Sequence, residues 1–290
     1  VTSVANEQGW RDFNVEVDAP PGYNVTVSPS SLRLKRGDSA SYQVTIANES
    51  GAIGEWPFGS LTWADATGHY TVRSPIAVRA SLFNAPLQIS GEGETGGASF
   101  DIQFGYDGPY TAFPIGLQAA AVTMDNVVQD PDQNFDPNDG YSNRHDIDVP
   151  VGGTYLRVVL PPDGVADPGA IDLDLFLYNP SGAQVAASTN GGTDEFIDVS
   201  FPEPGTWSVY VHGWQTAGPS ADYTMYSWAF DNTMGPTLEV TSAPAEAVIG
   251  TTGTVEVNWV DAIDGWYLGI IGHIGAAGVM GGTIVEVDNR

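Results

Sequence analysis

Asp172-Leu-Asp-Leu-Phe-Leu-Tyr-Asn-Pro-Ser-Gly182 is the stretch whose reading decides the fold. Leu173, Leu175 and Leu177 alternate with Asp172, Asp174, Phe176 and Tyr178. That period of two is the pattern of a β-strand with one buried face. Asn179-Pro-Ser-Gly182 predicts a turn, because Pro presets φ and Gly accepts positive φ. Val185-Ala-Ala-Ser188 reads as a short return strand, and Gly191-Gly192 as a further turn. Ile197, Val199 and Phe201 then alternate with Asp198 and Ser200. After Pro202-Glu-Pro-Gly205, Trp207, Val209 and Val211 alternate with Ser208, Tyr210 and His212. The run from Asp172 to Trp214 therefore predicts four antiparallel strands joined by tight turns.

The Asp172–Gly182 stretch, followed by Glu203-Pro-Gly-Thr-Trp-Ser-Val-Tyr-Val211, resembles the bacterial pre-peptidase C-terminal domain. That module is appended to secreted proteases. The resemblance covers roughly residues 125 to 232.

Outward toward the start, short strand patterns recur between turns. Phe13-Asn-Val-Glu-Val17, Val25 with Val27, Tyr42 with Val44 and Ile46, Gly59–Trp63 and Tyr70–Val78 make a set spaced as in a β-sandwich. Val1-Thr-Ser-Val, Val25-Thr-Val-Ser-Pro-Ser-Ser-Leu32, Phe58-Gly-Ser-Leu-Thr-Trp63 and His69-Tyr-Thr-Val-Arg-Ser-Pro-Ile76 are similar to the fibronectin-III-like domain found behind subtilisin-like catalytic domains. The Asp65–His69 segment carries an extra spacing in a loop. Both resemblances imply one parent, a secreted subtilisin-like serine protease. Val1-Thr-Ser-Val-Ala lacks an initiator Met and reads as mid-strand, so the chain is expected to be a piece of that parent.

Ala98–Phe104, Ile115–Leu117 and Ala119–Val122 are too few strands to close a sandwich. The tail strands Leu238–Thr241, Gly253–Trp259, Trp266–Ile271 and Gly282–Val287 are also too few. Together they make one domain. The expected organisation is all-β, in tandem β-sandwiches. Residues 1–86 form a fibronectin-III-like domain. Residues 87–124 plus 236–290 form a second, discontinuous fibronectin-III-like sandwich. A jelly-roll-like pre-peptidase module, 125–235, is inserted in it.

Composition limits the functional classes. Thirty-six acidic residues face nine basic ones, a net charge of −27, and Lys35 is the single lysine. Phosphate neutralisation has no basis here, which argues against nucleic-acid binding. Such acidity suits solubility, calcium binding or salty surroundings. The absence of cysteine excludes disulfides and a thiol nucleophile. No apolar run is long enough to span a bilayer.

No catalytic residues are expected. His69, His145, His212 and His273 lack the histidine and serine contexts of subtilases, and His69 reads as structural. Calcium is a candidate ligand. Asp130, Asp132, Asn134, Asp136 and Asp139 crowd the acidic stretch Asp130–Gly140, which departs from EF-hand spacing. Asp172 and Asp174, about 7 Å apart on one strand face, are the second candidate pair. Aromatic residues from Trp207 to Trp228 are mostly expected in a core. Tyr210, His212 and Trp214 are the candidates for a binding surface, with Tyr210 and His212 facing away from Trp207, Val209 and Val211. The resemblance implies a secreted, extracellular accessory region whose partners are an upstream protease catalytic domain and an insoluble polymer or protein substrate. A stand-alone carbohydrate-binding or adhesive β-sandwich module stays open.

Overall fold

The computed structural model describes residues 1–6, 9–231 and 237–290. The boundary expected at 235/236 lies outside the described residues. Every long element is a strand, and the one helical turn described is the 3-10 segment Pro162–Gly164. Two compact units separate: Val1–Asn84 with Phe104–Tyr106, and Ala85–Gln103 with Asp107–Arg290.

The first unit holds β1 (Arg11–Asp18), β2 (Tyr23–Ser28), β3 (Ser31–Leu34), β4 (Gln43–Asn48), β5 (Phe58–Asp65), β6 (Thr71–Ala77) and the short β7 (Phe83–Asn84). One sheet runs β3-β1-β5-β6, and β2 pairs with β4. Alternation dictates the core, since Phe13, Val15 and Val17 turn inward toward Leu61 and Trp63. Trp63 is buried edge-on to Tyr42, with centroids 5.2 Å apart. Gly59 has to be glycine, because a Cβ there would stand 2.4 Å from the Asp18 carbonyl oxygen. The extra spacing at Asp65–His69 is closed by Asp65 itself. Its carboxylate accepts the Thr67 hydroxyl (2.6 Å), the Tyr70 N–H (3.0 Å) and the Arg11 guanidinium (3.0 Å). These donors hold the Asp65 carboxyl down at about 2.

The second unit begins with β8 (Gln88–Gly91), β9 (Gly96–Phe104) and β10 (Gly108–Ala119). The middle of the chain supplies β11 (Ala121–Val128), β12 (Ser142–Val149), β13 (Tyr155–Leu160), β14 (Asp172–Tyr178), β15 (Gln184–Ser188), β16 (Glu195–Ser200), β17 (Gly205–Gln215) and β18 (Ser220–Phe230). It ends with β19 (Leu238–Ser242), β20 (Glu246–Ala247), β21 (Thr252–Trp259), β22 (Trp266–Gly275) and β23 (Gly278–Asp288). Strands from before β11 pair with strands from after β18. One sheet is ordered β20-β10-β22-β23-β8, and β19, β21 and β9 lie side by side in another. Ile115 sits opposite Ile270, Phe100 opposite Val255, and Ile89 runs parallel to Val285.

Within that flanking sandwich, His273 is fully buried. Tyr110 Oη lies 2.7 Å from Nδ1, and Nε2 lies 3.0 Å from the Thr283 hydroxyl. Thr283 donates onward to the Pro86 carbonyl at 2.7 Å, so the hydroxyl accepts from Nε2–H. Burial pushes its pKa down to about 4. The unfolded chain, with an ordinary histidine value near 6.5, binds the proton first. Stability therefore falls as pH drops from about 6.5 to about 4, by up to about 3 kcal/mol from this group. Urea unfolding at pH 7 and pH 4.5 should show this acid loss, and His273→Gln should reduce it.

The middle strands form two four-stranded sheets, β11-β18-β13-β16 and β12-β17-β14-β15. Leu173, Leu175 and Leu177 are fully buried against Leu156, Val158 and Leu160 of the opposite sheet. The expected succession of four strands departs here from a simple meander. β14 and β15 form a hairpin, but β16 crosses to pair with β13 and β17 returns to pair with β14. Turn residues set where the chain reverses. Which sheet a strand joins is set by both faces of the core, and this jelly-roll crossing lets Ile197 cover the leucines from the other side.

Candidate functional site

Leucine parity on β14 sends Asp174, Phe176 and Tyr178 to the outer face of the β12-β17-β14-β15 sheet. On β17, Tyr210, His212 and Trp214 share that face. Register places Phe176 opposite Tyr210 and Asp174 opposite His212. The Asp130–Gly140 segment, between β11 and β12, folds over this surface. It is seated where Asp130 N–H donates to the Gly213 carbonyl at 2.9 Å, and a Cβ on Gly213 would lie 2.1 Å from the Val128 carbonyl oxygen.

Under that segment, His212 is clamped between two carboxylates. Nε2 is 2.8 Å from Asp130 Oδ2, and Nδ1 is 3.3 Å from Asp174 Oδ2. The imidazole and the Asp130 carboxyl are each 1 % exposed. Burial alone would lower the histidine, but Asp174 and Asp130 override it and hold the ring protonated above its ordinary range. Burial likewise opposes ionisation of Asp130. His212 and the N–H groups of Asp132 and Asn134 outweigh it and hold Asp130 below the carboxylate range. His212 does face away from Trp207, Val209 and Val211, but the loop covers it. Both ring nitrogens are occupied, so this histidine neither meets a surface ligand nor serves as a general base.

Aromatic residues surround the clamp. Phe135, from the loop, stacks on Phe176 with centroids 3.7 Å apart and planes 4° from parallel. Its edge contacts reach Tyr210 and His212, both at 5.7 Å, and Tyr178 packs edge-on to Tyr210 at 5.3 Å. Phe135, Phe176, Tyr178, Tyr210 and Trp214 are all half-buried. The Trp214 carbonyl accepts from Gln129 and Gln133, tying β17 to the loop.

The loop aspartates close turns. Asp130 accepts the N–H of Asp132 and of Asn134, both at 3.0 Å, and Asp132 accepts Asn134 N–H at 3.1 Å. Asp136 accepts from Asn138, and Asp139 from Tyr141, each at 2.9 Å. Asp130 uses both carboxylate oxygens in these turns, whereas Asp132, Asp136 and Asp139 each accept through Oδ1. Among the described residues no three His, Asp or Glu side chains stand together as a metal centre. Asp172 lies elsewhere, beyond a register shift in β14 and next to the Asn190–Glu195 turn. Sequence parity could have found two members the reading missed: Phe176 shares the face of Asp174, and Glu195 shares the inward face of Ile197.

Residues 1–78 match the fibronectin type-III domain family, and residues 141–213 match the bacterial pre-peptidase C-terminal domain family. Over 79 residues the chain is 40 % identical to the CO(2)-response secreted protease of Arabidopsis thaliana, covering 27 % of this chain and 10 % of that protein. Over 73 residues it is 37 % identical to the subtilisin-like protease SBT3.16 of the same plant, covering 25 % and 10 %. Over 185 residues it is 28 % identical to pyrolysin of Pyrococcus furiosus, covering 59 % and 12 %. The chain spans about a tenth of the length of these relatives. The chain therefore carries a fibronectin type-III match followed by a pre-peptidase C-terminal match, and over parts of its length it is similar to secreted and subtilisin-like proteases.

Proposed function

We propose that this chain is the non-catalytic C-terminal region of a secreted, subtilisin-like serine protease, and that it attaches the enzyme to an insoluble polymer or protein substrate outside the cell. The upstream catalytic domain is its covalent partner. The pre-peptidase module would sit within a second fibronectin-III-like sandwich, a reading supported by the pairing of β10 with β22 and of β9 with β21. The observation that carries attachment is the partly accessible aromatic face of β14 and β17. Phe135 and the His212 clamp fix these rings in place, so little side-chain entropy is lost when a ligand docks. The same face suits sugar rings, which keeps a stand-alone carbohydrate-binding or adhesive module as the second reading. An upstream coding segment with the Asp, His and Ser motifs of subtilases separates the two.

The test is a pull-down of the full chain on chitin, cellulose, collagen and casein aggregates. Selective retention on one of them is expected. The double substitution Tyr210→Ala, Trp214→Ala should weaken it about tenfold or more, the loss of an aromatic anchor. Retention on none, or retention unchanged in the double variant, overturns attachment and leaves support of the catalytic domain as the role.

A further inference from the structure

Three buried side-chain oxygens on two adjoining segments find no hydrogen-bond partner: Asp172 Oδ1, Thr193 Oγ1 and Glu195 Oε1. Thr193 is 2 % exposed and Glu195 0 %. The segments touch, because Leu173 N–H donates to the Gly192 carbonyl at 3.2 Å, and the Gly192 N–H serves the Asp172 carboxyl. Thr193 follows directly. Glu195 turns its second oxygen to the Ser188 hydroxyl and to Asn190 Nδ2, and Oε1 is left without a partner. The charges of Asp174 and Asp172 both bear on it.

We infer that Asp172, Thr193 and Glu195 form a binding site for one calcium ion, separate from the Asp130–Gly140 loop. Protonation of Glu195 alone does not answer the whole cluster. A proton on Glu195 Oε1 can serve one neighbouring acceptor and removes only one of the two negative charges. A water could bond the carboxylate oxygens but brings no charge to set against two carboxylates. A cation answers all three oxygens and the repulsion together. Every donor is oxygen and the set mixes carboxylate with hydroxyl. Calcium accepts six to eight oxygens in flexible geometry, whereas magnesium demands an octahedron and keeps its waters. With only two carboxylates committed, backbone carbonyls and water complete the shell. Asp174 stays with His212 and contributes field rather than a ligand. The site does not depend on whether the aromatic face attaches to anything.

The test is calorimetric titration of calcium chloride into the chelator-stripped full chain near neutral pH, with thermal unfolding in calcium and in chelator. One ion per chain and a higher Tm in calcium are expected. Glu195→Gln and Asp172→Asn should each weaken affinity about tenfold or more, following the loss of ligand charge. Asp136→Asn with Asp139→Asn should leave affinity unchanged. Should Glu195→Gln fail to fold, Asp172→Asn decides, since Asp172 is only half-buried. No binding at millimolar calcium overturns the inference. So does binding that survives both substitutions, or binding lost in the loop variant.

Discussion

Replacing His212 by alanine should cost about 3–5 kcal/mol of folding stability, the loss seen when one partner of a buried ion pair is removed. The reason lies in what remains. Asp130 would be left 1 % exposed without its cation, and Asp174 would lose the same partner. The Asp130–Gly140 loop would also lose the contact that anchors its first turn. Phe135 would keep its stack on Phe176 but lose the imidazole at its edge. Adding Asp130→Asn to His212→Ala should recover part of the loss, because a neutral amide no longer demands a counter-charge. The pH dependence has a definite sign. Asp130 is held below its unfolded value, so its contribution is present above that value and fades as acid protonates it. His212 is held above its unfolded value, so its contribution is complete below about 6.5 and fades as pH rises through the higher folded value. The clamp is therefore strongest in mildly acidic solution. Urea unfolding of both variants between pH 5 and 9 measures this. A loss below about 1 kcal/mol for His212→Ala would mean that the clamp is incidental.

Some of this site was written in local pattern and some was not. Alternation alone placed Leu173, Leu175 and Leu177 inside and sent Tyr210 and His212 to the opposite face. It could not show that His212 is buried, because its cover comes from Asp130, 82 residues earlier. The acidic loop is a calcium candidate in sequence because Asp and Asn serve turns and calcium equally well. Its carboxylates close turns on the N–H groups of Asp132, Asn134, Asn138 and Tyr141. Glu195 was legible in principle. It stands two residues before Ile197 with the same inward parity, so a strand begun at 195 would have predicted a buried glutamate. The crossing of β16 to the other sheet was not legible, since turns encode reversal and the core as a whole encodes the layer. Trp228 shows the same limit: it belongs to a contact between two sandwiches that no single strand reveals.

Trp228→Ala should cost about 3–5 kcal/mol, the range for deleting a large aromatic from a filled core. It should also separate two unfolding events that are one in the native chain. β18 is two-sided. Ala221, Tyr223 and Met225 point into the β11–β18 sandwich, while Tyr226, Trp228 and Phe230 point out of it toward the flanking strands. There Trp228, 1 % exposed, meets Ile115 of β10, Leu268 and Ile270 of β22 and Ile284 of β23. Trp266 stands edge-on to it at 5.3 Å. Polar contacts seal the margin. Arg157 grips Asp198 with two nitrogens at 2.6 and 2.7 Å and reaches Gln88 of β8 at 2.9 Å. Arg290 lies over Trp266 at 4.0 Å and over Tyr226 at 4.8 Å, and pairs with Asp288 and Asp163. Arg290 is partly solvated and contributes little, and the buried Arg157 spends its charge on Asp198, so the apolar centre around Trp228 should dominate the coupling. Removing it leaves a cavity shared by both sandwiches and weakens the coupling that makes them melt together. Scanning calorimetry should show the second unit melting in one transition in the native chain and in two after Trp228→Ala. Two transitions already present in the native chain would mean that the sandwiches are joined by covalent connection and little else.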